Sequence, residues 1–460
     1  MTVDRFPEGW LKQLATLGDK RADEIVGPLA TRLAADVDGD GGAKVDSQDA
    51  RRLAFPSVLR AIARGIEDPK LDGNIKSFLL DGAEIDKDID PELVRRAQSF
   101  FESQGIAVIT ALFHAALPEA YLGSRGVLAL DMTGELVNNW TRRIRETGQF
   151  LIGVLSPPPD TLPKDRTSLS AGEVGARAVR RVRLTHAAVR WLLRAPVTRR
   201  FELIRERHLT QPDLWACGQI ELGHEREGSG QQRFDSPLNQ EDLLATLGTF
   251  TTVTLGALEK MAVRVDDEDR KAYHHFWNVV GWHLGVGDSM TVTDKPQKSP
   301  RTKTWKNNKV LPIDADEMDA LYQQLSQRLQ GRTDQGRRLA KTLVEELASP
   351  LPRPLQGAPA VIIRYLIGDE KADLLEIEKG GYVELLTVRT GALEWLARRG
   401  GRAPMGAVTV SLLSQMLTRY ALRAFVARSR ESERGLRIDP GIAARWGVQV
   451  GPDVRAPTGG

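Results

Sequence analysis

His186 stands between two arginines at helical spacing, Arg183 three residues before it and Arg190 four after, in the run RLTHAAVR. Val179, Val182, His186, Val189 and Leu193 follow one another at three- and four-residue steps, so the spacing predicts a helix with an inward imidazole flanked by two guanidinium groups. A second helix is predicted over Glu135–Leu155, with Trp140, Ile144, Thr147, Leu151 and Val154 along its inner stripe. Arg143 stands four residues before Thr147 and Glu146 immediately before it, which brings a cationic donor, a hydroxyl and a carboxylate to one edge of a buried surface.

A neutral imidazole is a metal ligand, and fixed guanidinium forks recognise carboxylates. One planar group asks for both, a haem, with iron for the imidazole and propionates for the arginines. The plain reading of the same residues is a hydrogen-bonded core histidine with snorkelling arginines, and, on the second helix, an exposed Arg–Glu edge beside a helix-satisfied threonine. The local pattern leaves both open.

Several other motifs are weaker. Asp36, Asp38 and Asp40, followed by Gly41, look like the start of a calcium loop, but Ser47 occupies the twelfth position where a bidentate Glu is needed, so calcium is not expected. Glu221 and His224 form a single Glu-x-x-His, whereas a di-iron bundle needs two. No P-loop, nucleophile-elbow serine or His-Glu-x-x-His is present. The lone Cys217 excludes an internal disulfide and any multi-cysteine metal site, and suits a reducing compartment. The 64 basic and 61 acidic residues are mixed without long basic blocks, so no nucleic-acid partner is expected.

The elements that must position these residues are helical. Apolar residues recur at helical spacing over Ala22–Ala35, Pro91–Ala116, Ala171–Leu193, Gln240–Met261, Asp269–Leu284, Asp314–Leu347 and Val408–Ala427, and alternating strand patterns are scarce. Ser170 and Glu173 have the spacing of a capping box, and Asn239 that of an N-cap with Glu241 and Asp242 at the positive helix end. Tyr273, Trp277, Val280 and Leu284 share one face, with Gly281 and Gly285 allowing a close approach; His274, His275 and His283 are expected at the surface or its edge. His275 and His114 are the alternative axial histidines. The pattern divides into an N-terminal helical region (1–85), a core (86–310) and a C-terminal helical region (311–460) with a frayed tail. The apolar run Ile106–Leu117 is short of the roughly 20 residues that cross a bilayer, and no export signal is recognisable, so a cytoplasmic protein without a transmembrane segment is expected.

Taken in order, RRIRETGQF (142–150), RLTHAAVR (183–190), PLNQEDLLATLGTF (237–250), HHFWNVVGWHLGVGD (274–288) and RYLIGDEKADLL (364–375) resemble the latex-clearing-protein (rubber oxygenase) and endoplasmic-reticulum-bound oxygenase catalytic-domain family. LGDKRADEIV (17–26) and ALPEAYLGSRG (116–126) are similar to it as well. The resemblance spans roughly Leu17–Ile377 and implies an all-α, globin-like core holding one haem b, and a haem-dependent oxygenase acting with dioxygen on an apolar small molecule by alkene cleavage or oxygen insertion. It implies His186 as the axial iron ligand, and Arg183, Arg190, Arg143 and Thr147 around the haem. Rubber-cleaving members carry a lysine where this chain has Glu146. A carboxylate caps a neutral-pH haem less well than an amine, so Glu146 is the leading candidate for moving protons beside bound oxygen, with Glu119 second. A haem peroxidase or peroxygenase and a non-catalytic haem sensor or carrier are the alternatives. The electron donor is unassigned, and a homo-oligomer is compatible with the C-terminal helices.

Overall fold

The computed structural model describes residues 6–39, 73–127, 162–193, 237–287 and 313–379, with isolated positions between and beyond them. Arg143, Glu146, Cys217, Glu221, His224, most of 408–427 and the C-terminal tail lie outside the described residues. Regular structure among the described residues is helical, and the β pairing there is a single antiparallel bridge between Gly123 and Gln330.

The chain order is α1 (Glu8–Thr16), α2 (Lys20–Gly39), α3 (Gly73–Leu80), α4 (Ala83–Asp86), α5 (Pro91–Ala111), α6 (Leu117–Tyr121), α7 (Val174–Leu193), α8 (Gln240–Gly248), α9 (Thr254–Lys260), α10 (Asp267–His283), α11 (Ala315–Leu329), α12 (Asp334–Ala348), α13 (Ala358–Ile367) and α14 (Asp369–Leu374). The central pair is α5 against α10, and α7 lies on α2 and also touches α3 and α10. One apolar cluster joins Phe6 and Trp10 to Phe101, Val108, Phe276 and Val280 and continues to Ile363 and Ile377. A smaller one fills the α2–α3–α7 seam with Ala22, Val26, Ile75, Phe78, Leu184 and Ala187.

α5 starts where Asp90 accepts from the Glu92 and Leu93 amides and Pro91 occupies a position that needs no N–H donor. It does not stop at Ala111. A π-turn over Leu112–Ala116 carries it into α6, and the reason is Pro118, whose ring would collide with the carbonyl four residues back in a regular helix. The resulting 31-residue helix, Pro91–Tyr121, is long and apolar enough to cross a membrane, beyond the short run expected from sequence; 72% of its most apolar stretch is buried inside the protein, as in a core helix. A second π-turn, Thr249–Val253, links α8 to α9 in a threonine-rich stretch. There the hydroxyls of Thr249, Thr251 and Thr254 bond back to the carbonyls of Thr246, Leu247 and Thr249, competing with the regular ladder. The two π-turns pack against each other.

Four expectations are corrected. The pattern over Asp314–Leu347 is two helices, because Gln330 is extended and the chain turns to pair with 122–124 through Ser124 N–H to Leu329 O (2.9 Å) and Gly331 N–H to Leu122 O (2.9 Å). Ser170 does not cap α7: its hydroxyl accepts from Thr167 N–H at 3.0 Å, and Glu173 receives Arg166 instead. The helix expected over Ala22–Ala35 runs from Lys20 to Gly39, so Asp36 and Asp38 belong to helical backbone. His274 and His283 are buried, not peripheral. Asn239, by contrast, caps α8 as expected, accepting from Asp242 N–H at 2.9 Å.

Two predictions follow from this packing. A β-carbon at Gly248 would lie 2.3 Å from Cδ2 of Tyr322, so Gly248→Ala forces α8 and α11 apart and is expected to lower stability by about 1–3 kcal/mol in a denaturant titration. Burial also pushes His114, His274 and His283 down to about 4 from the ordinary 6.5. Between those values the unfolded chain takes up protons that the folded chain refuses, so stability is complete above pH 6.5 and falls as the pH drops towards 4. Moving from pH 7 to pH 5 is expected to cost about 2 kcal/mol per histidine, and His283→Gln removes one such contribution; equal urea midpoints at the two pH values would contradict it.

Candidate functional site

α7 carries His186, and its burial pattern is rotated from the expected stripe. Arg180, Arg183, Leu184, Ala187, Ala188 and Arg190 are buried, whereas His186 and Val182 are only half-buried. The helix turns its arginines and small residues onto α2 and α3 because each guanidinium finds a partner there. Arg183 binds Asp19 in a two-pronged pair, Nε to Oδ2 at 2.6 Å and Nη2 to Oδ1 at 2.9 Å, with both side chains 2% exposed. Arg190 donates from Nε to Asp23 Oδ1 at 2.7 Å and from Nη1 to the Leu238 carbonyl at 3.4 Å, and its Nη2 lies 3.9 Å from Asp19 Oδ2. Arg180 donates to the Phe78 carbonyl at 2.7 Å, and the guanidinium groups of Arg180 and Arg183 lie 5.0 and 5.4 Å from the centre of the Phe78 ring.

Asp19 does a second job. Its Oδ1 accepts from Ala22 N–H at 3.2 Å, capping α2 at the end where the helix dipole favours negative charge. The start of α8 and the end of α10 close over the pair. Gln240 donates to the carbonyls of Gly18 (3.0 Å) and Gly285 (3.1 Å) and accepts from Gly287 N–H (2.9 Å). Gly285 has φ +88°, and a β-carbon there would lie 2.5 Å from both Arg183 Nε and Asp19 Oδ2, so the close approach expected at this glycine is to an ion pair. On its outer side Asp19, Lys20, Asp23 and Glu24 line an open cavity of about 380 Å³.

The other candidate residues are placed as follows. Thr147 is half-buried in helical backbone. His275 accepts from Asp90 N–H at Nε2 (2.9 Å), and His114, on the first π-turn, is 3.0 Å from the Thr110 carbonyl through Nδ1, so each alternative axial histidine already has a ring nitrogen engaged. Glu119 is buried away from α7, at the C-terminal end of the α5–α6 helix, and accepts from Tyr322 Oη (2.6 Å), Lys371 Nζ (2.7 Å) and Gln330 Nε2 (3.3 Å). Burial and this carboxylate push the Tyr322 phenol well above its ordinary value. Glu241, in the motif at 237–250, is a buried structural anion between Arg125 (3.3 Å) and Arg328 (2.8 Å). Among the described residues no three His, Cys, Asp or Glu side chains converge on a metal position.

A haem can be tested against these residues. His186 fits as an axial donor, being an imidazole on the half-buried flank of a firmly docked helix. Arg183 and Arg190 do not fit as propionate partners, because both are buried and already bonded to aspartates. Sequence reasoning missed Asp19, Asp23 and Gln240. The available signal was two acids one turn apart at the start of a helix, facing two arginines two turns apart on another.

Comparison with known proteins agrees with the helical architecture. The Streptomyces sp. (strain K30) rubber oxygenase is 28% identical over 262 residues, covering 56% of this chain and 51% of the relative, so the chain aligns with about half the length of that protein. A solved latex clearing protein in the closed state has the same fold, with a TM-score of 0.52 over 89% of this chain and 91% of the other at 20% identity. The model of the ER-bound oxygenase mpaB/B′ and rubber oxygenase catalytic domain matches residues 103–413, more than half of the sequence and the part that contains α7, and the chain therefore belongs to that family.

Proposed function

We propose that this protein is an oxygenase that uses dioxygen on an apolar small molecule, by alkene cleavage or oxygen insertion, with a haem b held by His186. The observation that carries the reading is the position of His186, within the matched catalytic domain and on a helix locked in place by buried ion pairs. The Streptomyces relative is named for rubber, an apolar hydrocarbon; apolarity is the part of that description carried over here.

A bound haem would supply the activation of dioxygen at its iron. The chain supplies the rest. The imidazole of His186 would hold the iron, and the docking of α7 fixes where that imidazole points. Arg183 and Arg190 hold α7 instead of touching the cofactor, which leaves Arg143 as the family-matched guanidinium for a propionate. The Thr147 hydroxyl offers a hydrogen bond from the other motif helix. Glu146, its neighbour in sequence, is proposed to hold and deliver a proton at its carboxylate, the role for which a carboxylate in place of lysine is suited.

Protein produced with ample haem precursor is expected to show a Soret band and about one haem per chain by pyridine haemochrome. His186→Ala is expected to lose most of it; a colourless, iron-free folded wild type, or an H186A variant with an unchanged spectrum, overturns the assignment. Glu146→Gln is expected to retain haem and lower turnover with dioxygen and reductant by about 100-fold. Unaltered turnover would remove Glu146 from proton transfer.

A further inference from the structure

The aspartates that neutralise α7 lie at the start of α2, in a part of the chain that precedes residue 103, where the family match begins. His186 has Arg183 three residues before it and Arg190 four after it, so the imidazole is bracketed within two turns by the two anchored guanidinium groups. Asp19 reaches both of them, at 2.6 Å and 3.9 Å, and Asp23 holds the second. Gln240 and the positive-φ Gly285 close the same node from α8 and from the turn after α10, so three separate segments fix the rotation of the middle of α7. The axial rotation of α7 decides where the flank bearing His186 points. With the aspartates neutral, two buried cations would lose their partners, and the helix would relieve them by turning towards water.

We infer that Asp19 and Asp23 are positioning residues for the axial histidine, and that the N-terminal segment is a working part of the oxygenase site. This rests on the reading of His186 as the haem ligand. The test uses the full chain reconstituted with hemin. The isosteric variant Asp19→Asn keeps an acceptor for the Ala22 amide but removes the charge. Two readouts apply: the iron–histidine stretching band of the ferrous protein by resonance Raman, and the rate of haem transfer to excess apomyoglobin. Asp319→Asn, which breaks the Arg270–Asp319 pair between α10 and α11, is the control for general loosening.

D19N is expected to shift the iron–histidine band and to release haem at least ten-fold faster than wild type, while D319N leaves the band in place. A D19N protein that melts earlier yet keeps the wild-type band and release rate would reduce the aspartates to fold stabilisers and overturn the inference. Should D19N not fold, Asp23→Asn, at a side chain 22% exposed, is read in its place. At least three-fold faster release with a shifted band supports the inference, and wild-type behaviour overturns it. H186A separates the two claims: loss of haem there with unaltered D19N and D23N rejects only the positioning role, whereas an unchanged H186A spectrum rejects the ligand reading itself.

Discussion

A guanidinium group withdrawn from water must be met by a counter-charge and by acceptors, because an unpaired buried charge costs several kcal/mol. Three arginines on one face of α7 place that demand at the centre of this protein, and much of the surrounding architecture answers it. The N-terminus of α2 lies where Asp19 and Asp23 can reach Arg183 and Arg190. Phe78 offers a carbonyl and a ring to Arg180. The turn after α10 is built on a glycine because no side chain fits over the Asp19–Arg183 pair. Such a pair adds little net stability over a well-packed apolar substitute, but it tolerates only one rotation of the helix, and rotation is what a ligand-bearing helix must control.

The second constraint is in the long central helix. Pro118 prevents regular winding, and the π-turn that accommodates it meets the threonine-rich π-turn between α8 and α9. Near this junction the buried Glu119 is enclosed by Tyr322, Lys371 and Gln330, with Tyr322 packed closely against Gly248. One carboxylate oxygen, Oε2, accepts from α11, the turn after it and α14, so Glu119 ties the C-terminal helices to the core.

Helices α2, α5, α7, α8 and α10, the Asn239 cap and the face of α10 bearing Tyr273, Trp277 and Val280 were legible in the sequence, because each depends on residues within a few positions of one another. Arg183, His186 and Arg190 were picked out for the same reason. The family motifs likewise depend on local order and spacing, and those between 116 and 375 fall within the match over 103–413.

Contacts across the chain decided the rest. A hydrophobic stripe drawn through His186 treats arginine as a residue that avoids burial, but Asp19, 164 residues away along the chain, reverses that preference and turns the arginines inward. Ser170 was diverted from its helix by a local turn, and His274 and His283 were covered by neighbouring elements despite their polar chemistry. Sequence by itself determined that the long motif-bearing segments are helical and which imidazole lies among arginines. Tertiary structure decided which way that helix faces, because the free energy of a buried charge depends on the partner it meets in space and not on its neighbours in the chain.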